Sequence, residues 1–527
     1  MEDIIIRNGL IMDGTGEPAY KGGIAIKDGL ITAVGNVEGL EAKEAIDAKG
    51  HVISPGFIDA HCHSDTTFLR DNRCEAKIYQ GVTTEICGMC GDSPFPSLPG
   101  HKQNIDTRKD WPQFPDASAY SFQEFMDNVH RDGKTMATNL CLFAGHNSIR
   151  TAVMDFDGRE PTPEEQEKMC ELLDRELSTG AWGLSLGLEY TPGCFAKPAE
   201  FEAFGKVIKK HDALITVHMR SEGKQEVEAI NEVLDIERTT GCRVHISHLK
   251  IDYGPKWGTA PDIWQMIEDA EEKEGLIVSA DMYPYAASST TLVTRCPRWA
   301  VDGGNGMAAV HLQGERRDEV MAELTNRLHD KFWADRCLIT DTGTLWPEIE
   351  GKYLTEVADS LGLPYEEAAA EIIIKTEGKT VCTFFSMDEG DTLYFLGKDV
   401  CICSDGYGHS FDPAKLFGTH PHPRSYGALV RFLRLNREHH FCSTEEAVRR
   451  MTSKAADMIH LKDRGRLIPG LAADVTVFDP DTIEDKATWL IPWQKPIGID
   501  HVIVNGVLAL KDGVQTEART GEFLLHK

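Results

Sequence analysis

The chain has 527 residues, 41% hydrophobic and 26% charged, which suits a globular protein with one large domain and a smaller one. Its 55 Lys and Arg against 84 Asp and Glu give a formal net charge of −29, a surface that repels phosphate backbones and anionic lipid. Neither nucleic acid nor a membrane is therefore an expected partner, and no apolar run of about 18 residues is present to span a bilayer. The opening Met1-Glu-Asp-Ile-Ile-Ile-Arg-Asn carries acids where a secretory signal needs bases. Fourteen cysteines lack the regular spacing of a disulfide framework, so buried free thiols in a reducing cytoplasm are expected.

Roughly the first 50 residues read as short strands, from Ile4-Ile-Ile and Gly23-Ile-Ala-Ile, with Asn8-Gly9 and Asp28-Gly29 as hairpin turns. The chain then runs through Val52-Ile-Ser-Pro-Gly-Phe-Ile-Asp-Ala to His61-Cys62-His63. Residues i and i+2 of a strand share a face, so both imidazoles can reach one cation at the strand's carboxyl end, with Cys62 turned away into packing. Further apolar strands are expected to end near Cys90, His146, Leu188, His218, His248, Tyr283 and Asp405. Helical stretches separate most of them, at 163–178, 222–240 and 260–274 among others. Two connections, roughly 92–118 and 287–398, are too long to be plain links and are expected to cap or shape a site. The last 60 residues return to strands, with turns at Asn505-Gly506 and Asp512-Gly513.

Eight strand-and-helix units predict an α/β fold, a TIM-like (β/α)₈ barrel over 55–464, with an insertion at about 287–345 between strands seven and eight. Residues 1–54 and 465–527 are expected to build a small β-sandwich domain from both termini. In such a barrel the carboxyl ends of the strands converge on one face. His61, His63, His218, His248 and Asp405 would meet there, with Cys90 either a sixth ligand or a small buried thiol, and imidazole, thiolate and carboxylate together suit zinc ahead of nickel, cobalt or iron. A divalent cation acidifies water to a pKa of about 7 and polarises a carbonyl. Asp405, on another strand, could then carry a proton from water to a leaving nitrogen, which is amide hydrolysis without a covalent intermediate. His146 is a candidate substrate contact. Arg295 and Arg298, in the long insertion, are candidate readers of an acidic side chain.

The run Pro55-Gly-Phe-Ile-Asp-Ala-His-Cys-His, the later strand-end histidines, the final Asp and the closing Gly470-Leu-Ala-Ala-Asp-Val-Thr-Val-Phe-Asp resemble the amidohydrolase superfamily. Within it the chain resembles the N-acyl-D-amino-acid deacylases, or D-aminoacylases. The shared motifs are Gly81-Val-Thr-Thr, Gly88-Met-Cys-Gly-Asp-Ser-Pro, Gly145-His-Asn-Ser-Ile-Arg, Gly187-Leu-Glu-Tyr-Thr-Pro-Gly, His218-Met-Arg-Ser-Glu, His248-Leu-Lys, Tyr283-Pro-Tyr and His422-Pro-Arg-Ser-Tyr-Gly. The resemblance implies zinc held tightly by Cys90, His218 and His248, with a second, weaker metal position bordered by His61, His63 and Asp405. It also implies that Lys250, Tyr283 and Arg424, with Ser288 or Ser289 nearby, grip the substrate's α-carboxylate, and it adds Tyr190 to the substrate contacts. The expected substrate is a small N-acyl-D-amino acid. A cyclic-amide hydrolase of the dihydroorotase or hydantoinase kind is the alternative, and Cys90 in place of a strand-four lysine weighs against it.

Overall fold

The structure, a computed structural model, describes residues 1–98, 119–416 and 420–527. Most of the expected 92–118 connection, residues 99–118, lies outside the described residues. The chain is mixed α/β. Among the described residues no helix is long and apolar enough to cross a membrane.

The two ends of the chain share one nine-stranded sheet. Its N-terminal strands are Glu2–Ile11, Tyr20–Lys27, Leu30–Gly35, Ala42–Asp47 and Val52–Pro55. Val475–Phe478, Ile499–Val504, Val507–Lys511 and Val514–Gln515 come from the C-terminal part. The halves join where Val52–Pro55 runs antiparallel to Val475–Phe478, over a buried layer that includes Ile6, Ile24, Ile53, Val475 and Ile503. Three of the expected turns form: Asp28-Gly29, Asn505-Gly506 and Asp512-Gly513 each link adjacent antiparallel strands with both residues at positive φ. Asn8-Gly9 does not turn the chain. It is a bulge inside Glu2–Ile11, with Asn8 at φ 56°, and it divides that strand's pairing between Ala42–Asp47 and Val52–Pro55. The left-handed residue that favours a hairpin also favours a bulge, and only the partner strands decide between them.

The middle of the chain lays down parallel strands. Phe57–Asp59, Val82–Cys87 and Asn139–Leu142 pair in that order. Ala144–Gly145, Gly183–Gly187, Leu214–His218, Val244–Ile246, Val278–Met282 and Cys401–Ile402 also pair in order. Phe143 N–H donates to Cys87 O at 3.0 Å, and Trp182 N–H to Leu142 O at 3.0 Å, carrying one set into the other. At the far end Ala60 N–H reaches Ile402 O at 3.4 Å and Asp405 N–H donates to His61 O at 2.9 Å, so the last strand lies against the first. Val82–Cys87, Gly183–Gly187 and Leu214–His218 are buried at every position, so even their polar residues, Glu85 and Ser185 among them, are enclosed by the fold. Helices cover them, and their ends are written locally. Thr162 and Glu165 form a capping box for Pro163–Thr179, and Gly180 closes it at φ 117°.

Between Val278–Met282 and Cys401–Ile402 lies a unit with its own core. Ser288–Thr291, Val381–Phe384 and Cys337–Asp341 form an antiparallel sheet, and Leu292, Val320, Leu324, Ile339, Ile372 and Phe384 pack together beside it. This unit runs on to Phe384, past the boundary near 345 expected from sequence. Its middle strand is the last in sequence, so its extent is set by pairing across about 90 residues. The acidic run after Ser386 caps a helix, with Asp388 Oδ1 accepting from Asp391 N–H at 3.0 Å.

Candidate metal centre

Each candidate ligand stands at or just beyond the carboxyl end of a parallel strand. His61 and His63 follow Phe57–Asp59, Cys90 follows Val82–Cys87, and His218 closes Leu214–His218. His248 follows Val244–Ile246, and Asp405 follows Cys401–Ile402. Donor atoms of His61, His63, Cys90 and Asp405 lie within 4.8 Å of one another, as do those of Cys90, His218 and His248. Cys90 Sγ joins the two groups, 3.3 Å from both His61 Nε2 and His248 Nε2. His218 Nδ1 is 2.9 Å from His248 Nε2, and Asp405 Oδ1 is 3.0 Å from His63 Nε2.

The backbone is bent to achieve this. Cys90, His248 and Asp405 sit at φ 55°, 37° and 47°, a region that costs a non-glycine residue on the order of 1–3 kcal/mol. Specific hydrogen bonds hold two of them: Asp281 Oδ1 accepts from His248 N–H at 2.6 Å, and His61 O from Asp405 N–H at 2.9 Å. Three of the candidate ligands thus share a backbone region in which functional residues often sit.

The donor set fits a zinc ion. Burial drives the His63 imidazole down to about 4 and His248 down to about 3, the neutral form a metal requires. Burial pushes the Cys90 thiol well up, so a cation is what would draw out its thiolate. Burial disfavours charge on Asp405, yet Arg424, with Nη1 2.7 Å from Oδ2, and the neighbouring histidines hold it ionised.

Three carboxylates that the sequence reading left without a role support this group. Asp281 Oδ2 lies 3.5 Å from His61 Nδ1 and 2.7 Å from His245 Nε2. Glu222 Oε1 stands 2.8 Å from His248 Nδ1 and 2.6 Å from Lys250 Nζ, and Glu189 Oε2 is 3.2 Å from His218 Nε2. Such partners fix the ring orientation of metal-binding histidines. Glu189 and Glu222 lie inside recognised motifs, and Asp281 is the penultimate residue of Val278–Met282, two residues before Tyr283, which were the signals available.

A cavity of about 450 Å³ opens on the group, lined also by Lys250, Tyr283, Arg424, Ser288, Ser289, Tyr190 and Arg295. The Tyr283 ring lies 4.7 Å from the Arg424 guanidinium and 5.6 Å from Lys250 Nζ. Ser288 Oγ donates to Asp252 Oδ2 at 3.1 Å, and the Tyr190 ring rests 4.5 Å from His218. Arg295 stacks 4.0 Å from Phe384 and stands 3.7 Å from Asp252 Oδ2.

His146 is not brought to the cavity. It starts the helix His146–Met154 and is fully buried, with Nε2 2.6 Å from Glu200 Oε1 and its ring against Phe201 and Phe204. A strand-end histidine turned inward is satisfied by a carboxylate instead of a ligand. Arg298 likewise points elsewhere, donating to Arg220 O at 2.7 Å. Cys62 faces away from the ligands, with Sγ 3.3 Å from Cys87 Sγ, as strand alternation predicts.

The amidohydrolase family model matches residues 44–509. The chain is 33% identical over 508 residues to the N-acyl-D-glutamate deacylase of Alcaligenes xylosoxydans xylosoxydans, covering 96% of this chain and 93% of that one. It is also 33% identical over 531 residues to the N-acyl-D-aspartate deacylase of the same organism, covering 99% and 95%. Among solved structures it resembles the N-acyl-D-glutamate deacylase of Bordetella bronchiseptica complexed with zinc and a phosphonate mimic of the tetrahedral intermediate. That likeness has a TM-score of 0.84 at 31% identity and covers both chains in full. With its strand-end ligands gathered on one cavity and this likeness running end to end, the chain belongs to the amidohydrolase family and, within it, to the N-acyl-D-amino-acid deacylases.

Proposed function

We propose that the protein hydrolyses the amide bond of N-acyl-D-amino acids, giving a carboxylate and a free D-amino acid, with zinc as its metal. The observation that carries this is one cavity holding both the metal-binding group and a cationic, phenolic wall made by Lys250, Tyr283 and Arg424. Cys90, His218 and His248 would hold the tighter ion, and His61, His63 and Asp405 would border a weaker one. When bound, zinc supplies Lewis acidity, which polarises an amide carbonyl and acidifies water.

The chain's own residues do the rest. Arg424 and Lys250 offer fixed positive charge to the α-carboxylate, and a planar guanidinium can meet both its oxygens. Tyr283, fully buried between the two cations, sets their spacing, and Ser288, Ser289 and Tyr190 line the adjoining wall. Asp405 accepts a proton from the attacking water and delivers it to the leaving nitrogen. Arg295, which lines the cavity from the insertion, reads an acidic side chain, in keeping with the substrates of the two relatives.

The finer architecture belongs to the same reading. The parallel strands are taken as a (β/α)₈ barrel over 55–464, supported by the hydrogen bonds that return the last strand to the first. Residues 1–54 and 465–527 form the separate β domain. A cytoplasmic setting is inferred from the unpaired cysteines.

The deciding experiment measures amine release from zinc-loaded protein on paired N-acetyl-D- and N-acetyl-L-amino acids with apolar, basic and acidic side chains. Turnover confined to the D series is expected. Preference for the L series, or silence on both, overturns the proposal.

A further inference from the structure

Outside the residues that line the cavity lies a fully buried ammonium. Lys77, in the short helix Glu75–Ile78, has no solvent exposure, and neither do Asp59 and Glu85 beside it. Its Nζ donates to Asp59 Oδ2 at 2.6 Å and to Ser404 Oγ at 2.8 Å, and stands 3.6 Å from Glu85 Oε2. A lone buried ammonium would give up its proton, but these carboxylates outweigh burial and keep Lys77 charged. The contacts reach three segments at once: the first parallel strand, the second, and the loop that carries Asp405.

The connections onward are to backbone atoms that flank metal ligands. Asp59 Oδ1 accepts from Ser404 N–H at 2.8 Å, and Ser404 Oγ accepts from Gly406 N–H at 3.0 Å. The amides on both sides of Asp405 are thus tied to the pair Asp59 and Ser404, which Lys77 bridges. Asp405 itself is at φ 47°, and His63 N–H donates to Gly406 O at 2.8 Å. On the other side Glu85 Oε2 accepts from Cys62 Sγ at 3.4 Å, and Cys62 is the residue between His61 and His63. One ammonium therefore braces the His-x-His segment and the Asp405 loop against each other.

We infer that Lys77 is a positioning residue for the reaction, acting through Ser404 and Asp59 to hold the Asp405 carboxylate where it accepts and returns the proton. This rests on the deacylase reading of the site. Arg424 and His63 meet the Asp405 carboxylate directly, while the loop that carries it has no regular secondary structure and takes its position from these side-chain ties. A misplacement of about 1 Å costs on the order of a hundredfold in rate.

The test is a double-mutant cycle between Ser404→Ala and Asp405→Asn on zinc-loaded protein, with Lys77→Met as a further variant. Ser404→Ala cuts the tie from Lys77 to Gly406 but keeps the ion pair with Asp59. It is expected to lower kcat about tenfold with KM within about twofold, and to add nothing in the Asp405→Asn background. An equal loss in both backgrounds, or none in the single variant, overturns the inference. Hydrogen exchange of the peptide spanning 402–407 gives a readout without turnover: Ser404→Ala should raise exchange there and leave the 214–218 strand unchanged. Exchange unchanged at 402–407 likewise overturns it. If the wild type hydrolyses no N-acyl-D-amino acid, the functional reading fails, and the exchange measurement still decides the positioning role. Lys77→Met is expected to reproduce the exchange result; should it not fold, the Ser404 cycle stands alone.

Discussion

Arg424 Nη1 stands 2.7 Å from Asp405 Oδ2, so the residue proposed to bind the substrate's carboxylate also holds the proposed proton carrier. Both are nearly buried, and Tyr283 packs against the guanidinium. A substrate carboxylate arriving at Arg424 therefore meets a cation already shared with Asp405. Arg424→Gln is expected to lower kcat/KM on N-acetyl-D-amino acids on the order of a hundredfold. Substrates whose α-carboxylate is replaced by a carboxamide should be poor for the wild type and lose less in the variant than the carboxylates do, since only the Asp405 contact is then removed. If the two substrate classes lose rate equally, Arg424 is structural and does not bind the carboxylate.

Asp405→Asn keeps the size of the side chain and removes its basicity. Zinc content should stay near that of the wild type while kcat falls about 10²- to 10⁴-fold. Cys90→Ala is the contrasting change, because Cys90 Sγ touches both ligand groups, and here zinc itself should be lost. Metal analysis beside initial rates separates the two behaviours, and an Asn variant with near-normal turnover would remove Asp405 from the proton path.

Asp281 touches two of the candidate ligands, His61 at Nδ1 and His248 at its backbone amide. Asp281→Asn should weaken zinc about 10- to 100-fold, as measured by competition with a chromophoric chelator. Unchanged affinity would show that the rings hold their orientation without it.

Arg295 offers charge at the insertion side of the cavity, 3.7 Å from Asp252 Oδ2 and within the field of Glu189. Arg295→Gln is expected to lower kcat/KM about tenfold or more on acetyl-D-glutamate and acetyl-D-aspartate, and to leave acetyl-D-leucine within about threefold. A uniform loss across all three would assign Arg295 to the scaffold.

Glu226 tests the electrostatics away from the metal. It is 1% exposed, neither carboxyl oxygen has a hydrogen-bond partner among the described residues, and burial, with Glu222 adding, raises it from 4.5 to about 9. The unfolded chain ionises this carboxyl near 4.5, so its stabilising contribution is full below that pH and drains away as pH climbs toward 9. Glu226→Gln should therefore melt at a higher temperature than the wild type, by a margin that widens from pH 5 to pH 9. A margin that stays constant or narrows would mean Glu226 is not a buried neutral acid.

What the sequence determined by itself is local chemistry with a fixed period. Strand alternation told His61 and His63 from Cys62, left-handed turn pairs placed three hairpins, and polar residues closing apolar runs picked out the residues the structure gathers around one cavity. What only the tertiary structure decided is partnership. His146 ends a strand much as His218 does, yet Glu200 claims it; Asn8-Gly9 reads like Asp28-Gly29, yet bulges because two different strands pair with its two flanks. Lys77, Asp281 and Glu222 gained roles only from residues well away in the chain, since a buried charge takes its meaning from whatever the fold sets opposite it.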